Sequence, residues 1–191
     1  MCNGRGLATY STQCPAGFYC PDPSRPDIQT GCPAGSFCPQ GSLNPTKCAS
    51  GTYQPYMYQA TCLDCPLGFV CSQTDTSFAL VCPQGMYCPA KTETPKPCPI
   101  GTYNPVWGLS TLTQCFSCLE GYYCASVGLA APSGKCAAGY FCKSGATTAT
   151  PAVGPKSGPC NPGYYCPEGT PIQVPCPVGT SSDTALNTGV A

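Results

Sequence analysis

Hydrophobic and polar positions in this chain change over on a very short scale. Apolar residues stand alone or in small groups, as in Phe78-Ala79-Leu80-Val81. No stretch carries the spacing of an amphipathic helix, and no run is long enough to span a bilayer. The segments between apolar groups are rich in Pro, Ser, Thr and Gly, as in "PAKTETPKP" (89–97), and read as turns and extended or polyproline-like backbone. The pattern predicts short two-stranded ribbons as the most regular structure.

What is periodic is a phrase. "CPAGFYC" (14–20) returns as "CPAGSFC" (32–38), "CPLGFVC" (65–71), "CPQGMYC" (82–88), "CLEGYYC" (118–124), "CAAGYFC" (136–142) and "CNPGYYC" (160–166). The wider form Cys-x-x-Gly also begins at Cys48, Cys98 and Cys176. Pro after Cys fixes one backbone angle and reduces the entropy of the unfolded chain. Gly permits the positive φ of a tight turn. The aromatic after it, Tyr19 or Tyr123 for example, is placed to cover a disulfide.

A longer period lies above the phrase. "CASGTYQPYMYQATCLDCPLGFVC" (48–71) aligns with "CPIGTYNPVWGLSTLTQCFSCLEGYYC" (98–124), and the two starts are 50 residues apart. This divides the chain into a partial repeat at 1–47, a repeat at 48–97, a repeat at 98–159 with a Thr/Pro-rich insertion near 145–158, and a partial repeat at 160–191. "GLATYSTQC" (6–14) reads as the tail of an earlier copy and "CPVGTSSDTALNTGVA" (176–191) as the opening of a third. The expected fold is small and disulfide-rich, with little regular secondary structure: an elongated tandem array of short β-ribbon cysteine-rich repeats, each touching mainly its neighbours.

Composition sets the compartment. The chain has 20 Cys, 24 Pro and 22 Gly in 191 residues, the level of a disulfide scaffold. Such cysteine usage implies an oxidising, extracellular or cell-surface setting. No signal peptide follows Met1, so the expectation is a mature or excised segment of a secreted protein. Units of fewer than about 40–50 residues rarely fold on burial alone. A disulfide closing a loop of about 12–15 residues adds roughly 3 kcal/mol in the chain-entropy model. Lys plus Arg total 8 and Asp plus Glu total 8, for a formal net charge of zero. That balance gives no electrostatic footprint for nucleic acid or an anionic membrane.

The Cys-x-x-Gly-Thr-Tyr…Cys-x-x-Cys-Pro-x-Gly pattern, clearest at 48–71 and 98–124, resembles the ephrin-receptor-like cysteine-rich repeats. These belong with the growth-factor-receptor and tumour-necrosis-factor-receptor type modules. The resemblance implies an extracellular, disulfide-stapled β-ribbon fold. It also implies the pairs Cys48–Cys62, Cys98–Cys115, Cys65–Cys82, Cys71–Cys88, Cys118–Cys136 and Cys124–Cys142, with the partner of Cys176 beyond residue 191. A consecutive scheme, from Cys2–Cys14 to Cys166–Cys176, stays open beside it and forces Cys62–Cys65 and Cys115–Cys118 into tight loops.

The chemistry available is narrow. There is no His, which removes Ser-His and Cys-His catalysis and the commonest metal ligand. The carboxylates are scattered, without paired or calcium-loop spacing. The Cys-x-x-Cys pairs 62/65 and 115/118 have redox and zinc readings, but the repeat accounts for them as structural disulfides. The expectation is therefore no enzyme, no cofactor and no metal.

Thr clusters beside Pro at "TETP" (92–95) and "GATTATPAVGP" (145–155) are candidate O-glycosylation positions: Thr92, Thr94, Thr147, Thr148 and Thr150. A bare flexible loop is the alternative for the second cluster. Trp107 aligns with Met57, beside Tyr56 and Tyr58, and exposed aromatics at equivalent places would form an assembly seam or a ligand loop. Local packing over the nearest disulfide is the alternative there. Together these features lead to a structural extracellular protein, a rod that self-associates head-to-tail or laterally into a fibre, coat or surface appendage. The other reading is a ligand-binding or adhesion module of a receptor ectodomain. Neither contacts nucleic acid or inserts into a membrane.

Overall fold

A computed structural model describes residues 13–25, 27–72, 77–154, 157–180 and 185–189. Among them there is no α-helix. One 3-10 turn, η1 (Leu112–Gln114), is held by the Gln114 side chain, whose Oε1 accepts from the Ser110 and Thr111 amides at 2.8 and 3.0 Å. No helix is long and apolar enough to cross a membrane among the described residues.

The strands are two or three residues long and pair as separate antiparallel ribbons. In chain order, β1 (Phe18–Tyr19) pairs β2 (Thr30–Gly31), β3 (Ser36–Phe37) pairs β4 (Thr46–Lys47) and β5 (Thr52–Tyr53) pairs β6 (Leu63–Asp64). Next, β7 (Phe69–Val70) pairs β8 (Leu80–Val81), β9 (Met86–Tyr87) pairs β10 (Lys96–Pro97) and β11 (Thr102–Tyr103) pairs β12 (Phe116–Ser117). Last come β13 (Tyr122–Tyr123) with β14 (Gly134–Lys135), β15 (Tyr140–Cys142) with β16 (Ser157–Pro159), and β17 (Tyr164–Tyr165) with β18 (Val174–Pro175). In every ribbon the first strand lies just after a phrase Gly and the second ends just before the next Cys. Pro is tolerated at the ends of β10, β16 and β18 because the ladder bond there comes from the following amide, as in Cys98 N–H to Gly85 O at 2.9 Å.

The disulfides explain why so little regular structure suffices. Seven close within single phrases: Cys14–Cys20, Cys32–Cys38, Cys65–Cys71, Cys82–Cys88, Cys118–Cys124, Cys136–Cys142 and Cys160–Cys166. Two close wider loops, Cys48–Cys62 and Cys98–Cys115. The pairs Cys65–Cys82, Cys71–Cys88, Cys118–Cys136 and Cys124–Cys142 do not form. The consecutive scheme fails as well, since Cys14 bonds Cys20 and Cys62 does not bond Cys65. The reason lies in the phrase: its central Gly has positive φ, 78° at Gly68, and folds the loop back on itself. That turn brings the two cysteine Cα atoms of phrase 65–71 to 5.8 Å, within ordinary bonding range. Each seven-residue loop is worth about 2.4 kcal/mol in the chain-entropy model. Cys176 is unpaired among the described residues and half-buried; Cys2 lies outside the described residues.

The chain forms two compact units, one from Met1–Pro66, Val70–Leu80 and Lys91–Glu93, the other from Leu67–Phe69, Val81–Ala90 and Thr94–Ala191. Each is built by one recurring set of four backbone bonds. In the first unit, Gly17 N–H donates to Cys38 O, Cys20 N–H to Ser42 O, Gly41 N–H to Cys14 O and Cys32 N–H to Gly17 O, at 2.7–3.0 Å. In the second unit, Gly121 N–H donates to Cys142 O, Cys124 N–H to Ala146 O, Gly145 N–H to Cys118 O and Cys136 N–H to Gly121 O, at 2.8–2.9 Å. A phrase is thus stitched to the next one through both its cysteines and its glycine.

Phrases also pack one step further along. A residue a few positions after most phrases takes positive φ, and its carbonyl presses on the Gly two phrases earlier. Gly108 O stands 2.5 Å from where a Cβ on Gly68 would sit, and Lys91 O stands 2.6 Å from the same point on Gly51. Three of these connector residues are not glycine: Tyr58 (φ 62°), Lys91 (62°) and Leu186 (70°). The core is mostly sulfur, with the disulfide-bonded phrase cysteines at 0–5% exposure. Rings complete it. Tyr123 packs on Cys136, Cys142 and Ala146, the disulfide of the phrase after its own.

Candidate functional site

Where most phrases end in Cys, the phrases at 48 and 98 end in Gln54 and Asn104. Both side chains are buried, at 2% and 0% exposure. Asn104 Nδ2 donates to Met86 O at 3.1 Å, and its Oδ1 accepts from Val106 N–H at 2.9 Å. Gln54 Nε2 donates to Thr61 O at 2.8 Å, and its Oε1 accepts from Tyr56 N–H at 3.2 Å. An amide therefore fills the place of a disulfide arm and pins the loop that follows. The first cysteine, left without its partner in the phrase, reaches out to Cys62 or Cys115. Sequence reasoning missed both amides, although the "GTYQP" and "GTYNP" alignment placed them where Cys was due.

The pinned loops carry the aromatic candidates. Tyr56 is 67% exposed and Met57 50%. In the second unit, Trp107 is 62% exposed beside exposed Val106. Tyr58 differs, because its ring lies against Phe18, centroids 5.3 Å apart, and over Gly31. It is engaged with a ribbon on one side while staying 55% exposed.

The Cys-x-x-Cys pairs are each divided between two disulfides. Cys62 bonds Cys48 while Cys65 bonds Cys71, and Cys115 bonds Cys98 while Cys118 bonds Cys124. Neither pair presents two thiols to a metal or a substrate.

Of the threonines, Thr94, Thr147, Thr148 and Thr150 are exposed. Thr92 is not: it is 6% exposed, and its carbonyl accepts from Cys71 N–H at 2.9 Å. A sugar on Thr92 would have to displace it from that packed position, so the structure removes it as a candidate. The segment around Thr148 lies on its own phrase. Thr148 O is 3.9 Å from Cys142 Sγ, a packing contact because disulfide sulfur carries no proton. Ala137 N–H donates to Ala149 O at 2.9 Å, and Ala146 and Pro151 are buried.

The long Cys142–Cys160 connection does more than fold back. Its Lys143 and Gly154, with phrase 160–166 and the turn before β18, bound an open cleft of about 420 Å³, lined by Phe141, Lys143, Gly154, Asn161, Tyr164, Ile172 and Gln173. Asn161 stands where other phrases carry Pro, Ala or Leu. Unlike Pro it has an amide, which donates to Gln173 Oε1 at 2.8 Å and fixes one edge of the cleft. Sequence reasoning did not single out this region beyond its threonines, since its residues come from separated stretches. No group of three or more His, Cys, Asp or Glu is placed to hold a metal among the described residues. No family model matches the chain, and no curated protein matches it.

Proposed function

We propose that this chain is a non-catalytic, structural extracellular repeat protein, akin to the ephrin-receptor-like cysteine-rich modules, whose copies assemble into a fibre, coat or surface appendage. The observation that supports it is the destination of the interactions. The four-bond ladder and the positive-φ connectors join a phrase to its successors, the disulfides close single phrases or the loops after Cys48 and Cys98, and the buried amides Gln54 and Asn104 are satisfied inside the scaffold. Many disulfides fit an oxidising extracellular setting. Apolar side chains meanwhile stay outside: Leu67, Ile100 and Val178 share the third place of their phrases and are 51% exposed or more. With few charges to repel, such surfaces favour close packing of copies.

Electron microscopy of the natural material, kept free of reducing agent, tests the reading. Regular filaments or sheets are expected; monodisperse single particles at high concentration would overturn it. A second reading, a ligand-binding or adhesion module, is favoured by Trp107, an exposed ring on a loop held by a buried amide. Under it, a Trp107→Ala variant would lose partner binding and keep its disulfide map.

A further inference from the structure

We propose that the cleft between the Cys142–Cys160 connection and phrase 160–166 binds an acidic saccharide. The inference goes beyond assembly and stands whether or not copies associate.

The lining is the argument. Two rings, Phe141 and Tyr164, come from β15 and β17, and Tyr164 is 40% exposed. Phe141 stands opposite Gly158 in its ribbon, so no side chain faces it across the pair. Around the rings are groups that make directed bonds: the Asn161 amide, the Tyr164 hydroxyl and the Nε2 of Gln173, whose Oε1 is already taken by Asn161 N–H. A pyranose presents the matching surfaces. Its C–H face is apolar and weakly positive and packs on the negative face of an aromatic ring. Its hydroxyls both donate and accept, which an amide answers from one side chain.

Charge narrows the class further. Among the described residues, Lys143 lines the cleft and no carboxylate does. An ammonium with no acid among the described lining residues favours a ligand that brings its own carboxylate or sulfate. Lys143 is the one cation among the described lining residues, and a nucleic-acid backbone is bound through many phosphate contacts. An apolar peptide side chain would want an enclosed apolar pocket rather than an open cleft with amides on its rim.

The test is a ¹⁵N NMR titration of the intact, oxidised chain with three probes: a uronic-acid oligosaccharide, a sulfated oligosaccharide and a neutral glucose oligosaccharide. Open sites of this kind bind weakly, and a Kd of about 1 mM is expected for at least one acidic probe. Shifts should concentrate on Lys143, Asn161, Tyr164 and Gln173. The two acidic probes tell carboxylate from sulfate. Tyr164→Ala should weaken binding by about tenfold, corresponding to about 1.4 kcal/mol. Lys143→Gln should lower acidic-probe affinity and leave the neutral probe unchanged. Should Tyr164→Ala alter the disulfide map, Asn161→Asp carries the test: it keeps the amide N–H and adds a carboxylate that repels the probe. Absence of shifts at these residues, equal binding of neutral and acidic probes, or indifference to Lys143→Gln would overturn the proposal.

Discussion

The ring of Tyr58 lies over Gly31, at a place where a side chain on residue 31 would collide with it. The same two positions meet in other phrases with the sizes exchanged. Gly108 faces Val81, Gly128 faces Met86 and Pro97, and Gly169 faces Lys135, while Lys91 Nζ pairs with Asp64 Oδ1 at 3.2 Å. Each contact joins a connector residue to the end of a ribbon two phrases earlier, and in four of them one partner is glycine.

Gly31→Val should therefore destabilise the chain by about 1–3 kcal/mol, the cost of overpacking. Tyr58→Gly in the same molecule should restore most of it, because the pair then copies Val81 and Gly108. Chemical denaturation of the two single variants and the double variant measures the coupling. Simple additivity would show that the two positions do not compensate.

The phrase glycines separate two costs that usually come together. Gly68 and Gly163 have similar backbone, φ 78° and 83°, but only Gly68 has a carbonyl in front of it. Ala at Gly163 should cost about 1–2 kcal/mol, the left-handed strain alone. Ala at Gly68 should cost clearly more, because Gly108 O must move as well. Equal thermal shifts for the two variants would contradict the packing described between phrases.

Lys91 holds positive φ without being glycine, and its ion pair is exposed, with side chains 65% and 61% accessible. Such pairs contribute about 0–1 kcal/mol. Relief of left-handed strain is worth about 1–2 kcal/mol, less about 0.4–1 kcal/mol for the freer unfolded chain. Lys91→Gly is thus expected to be neutral or mildly stabilising, and Lys91→Ala mildly destabilising. The ordering of their unfolding midpoints checks this.

What the sequence disclosed depended on what repeats in register. The phrase glycine recurs at a fixed distance from its cysteine, so the turn at Gly68 and the ribbons around it were legible without coordinates. The connectors begin after a variable gap, and Tyr58, Lys91 and Leu186 do not look like residues of left-handed backbone, so their shared position was hidden. Burial of Thr92 was hidden for the same reason, since it depends on the ladder bond from Cys71. The cleft at Tyr164 joins residues from β15, the long connection and the turn before β18, which no local pattern brings together. Pairing was misread at Cys65 and Cys118 because the resemblance supplied a crossing pattern, while the seven-residue loop already satisfied bond geometry by itself.

The strongest test of the phrase as a self-contained staple is to rebuild one. Phrase 98–104 ends in Asn104, and Cys98 bonds Cys115 instead, with Cα atoms 5.9 Å apart. Asn104→Cys combined with Cys115→Ser supplies the missing arm and removes the outside partner. The phrase backbone matches that of the self-closing phrases, with Gly101 at φ 80°. Peptide mapping without reduction should then find Cys98 bonded to the thiol introduced at position 104, in place of Cys98–Cys115. The new loop is shorter, which lowers its entropic gain from about 3.2 to about 2.4 kcal/mol. Loss of the Asn104 bonds to Met86 O and Val106 N–H adds about 1–3 kcal/mol of cost. The variant should therefore fold with the new bond and unfold earlier than the parent. If Cys98 and the introduced cysteine both stay free thiols, the amide phrases differ from the cysteine phrases in backbone as well as in side chain, and the shared ladder is not what closes the loop.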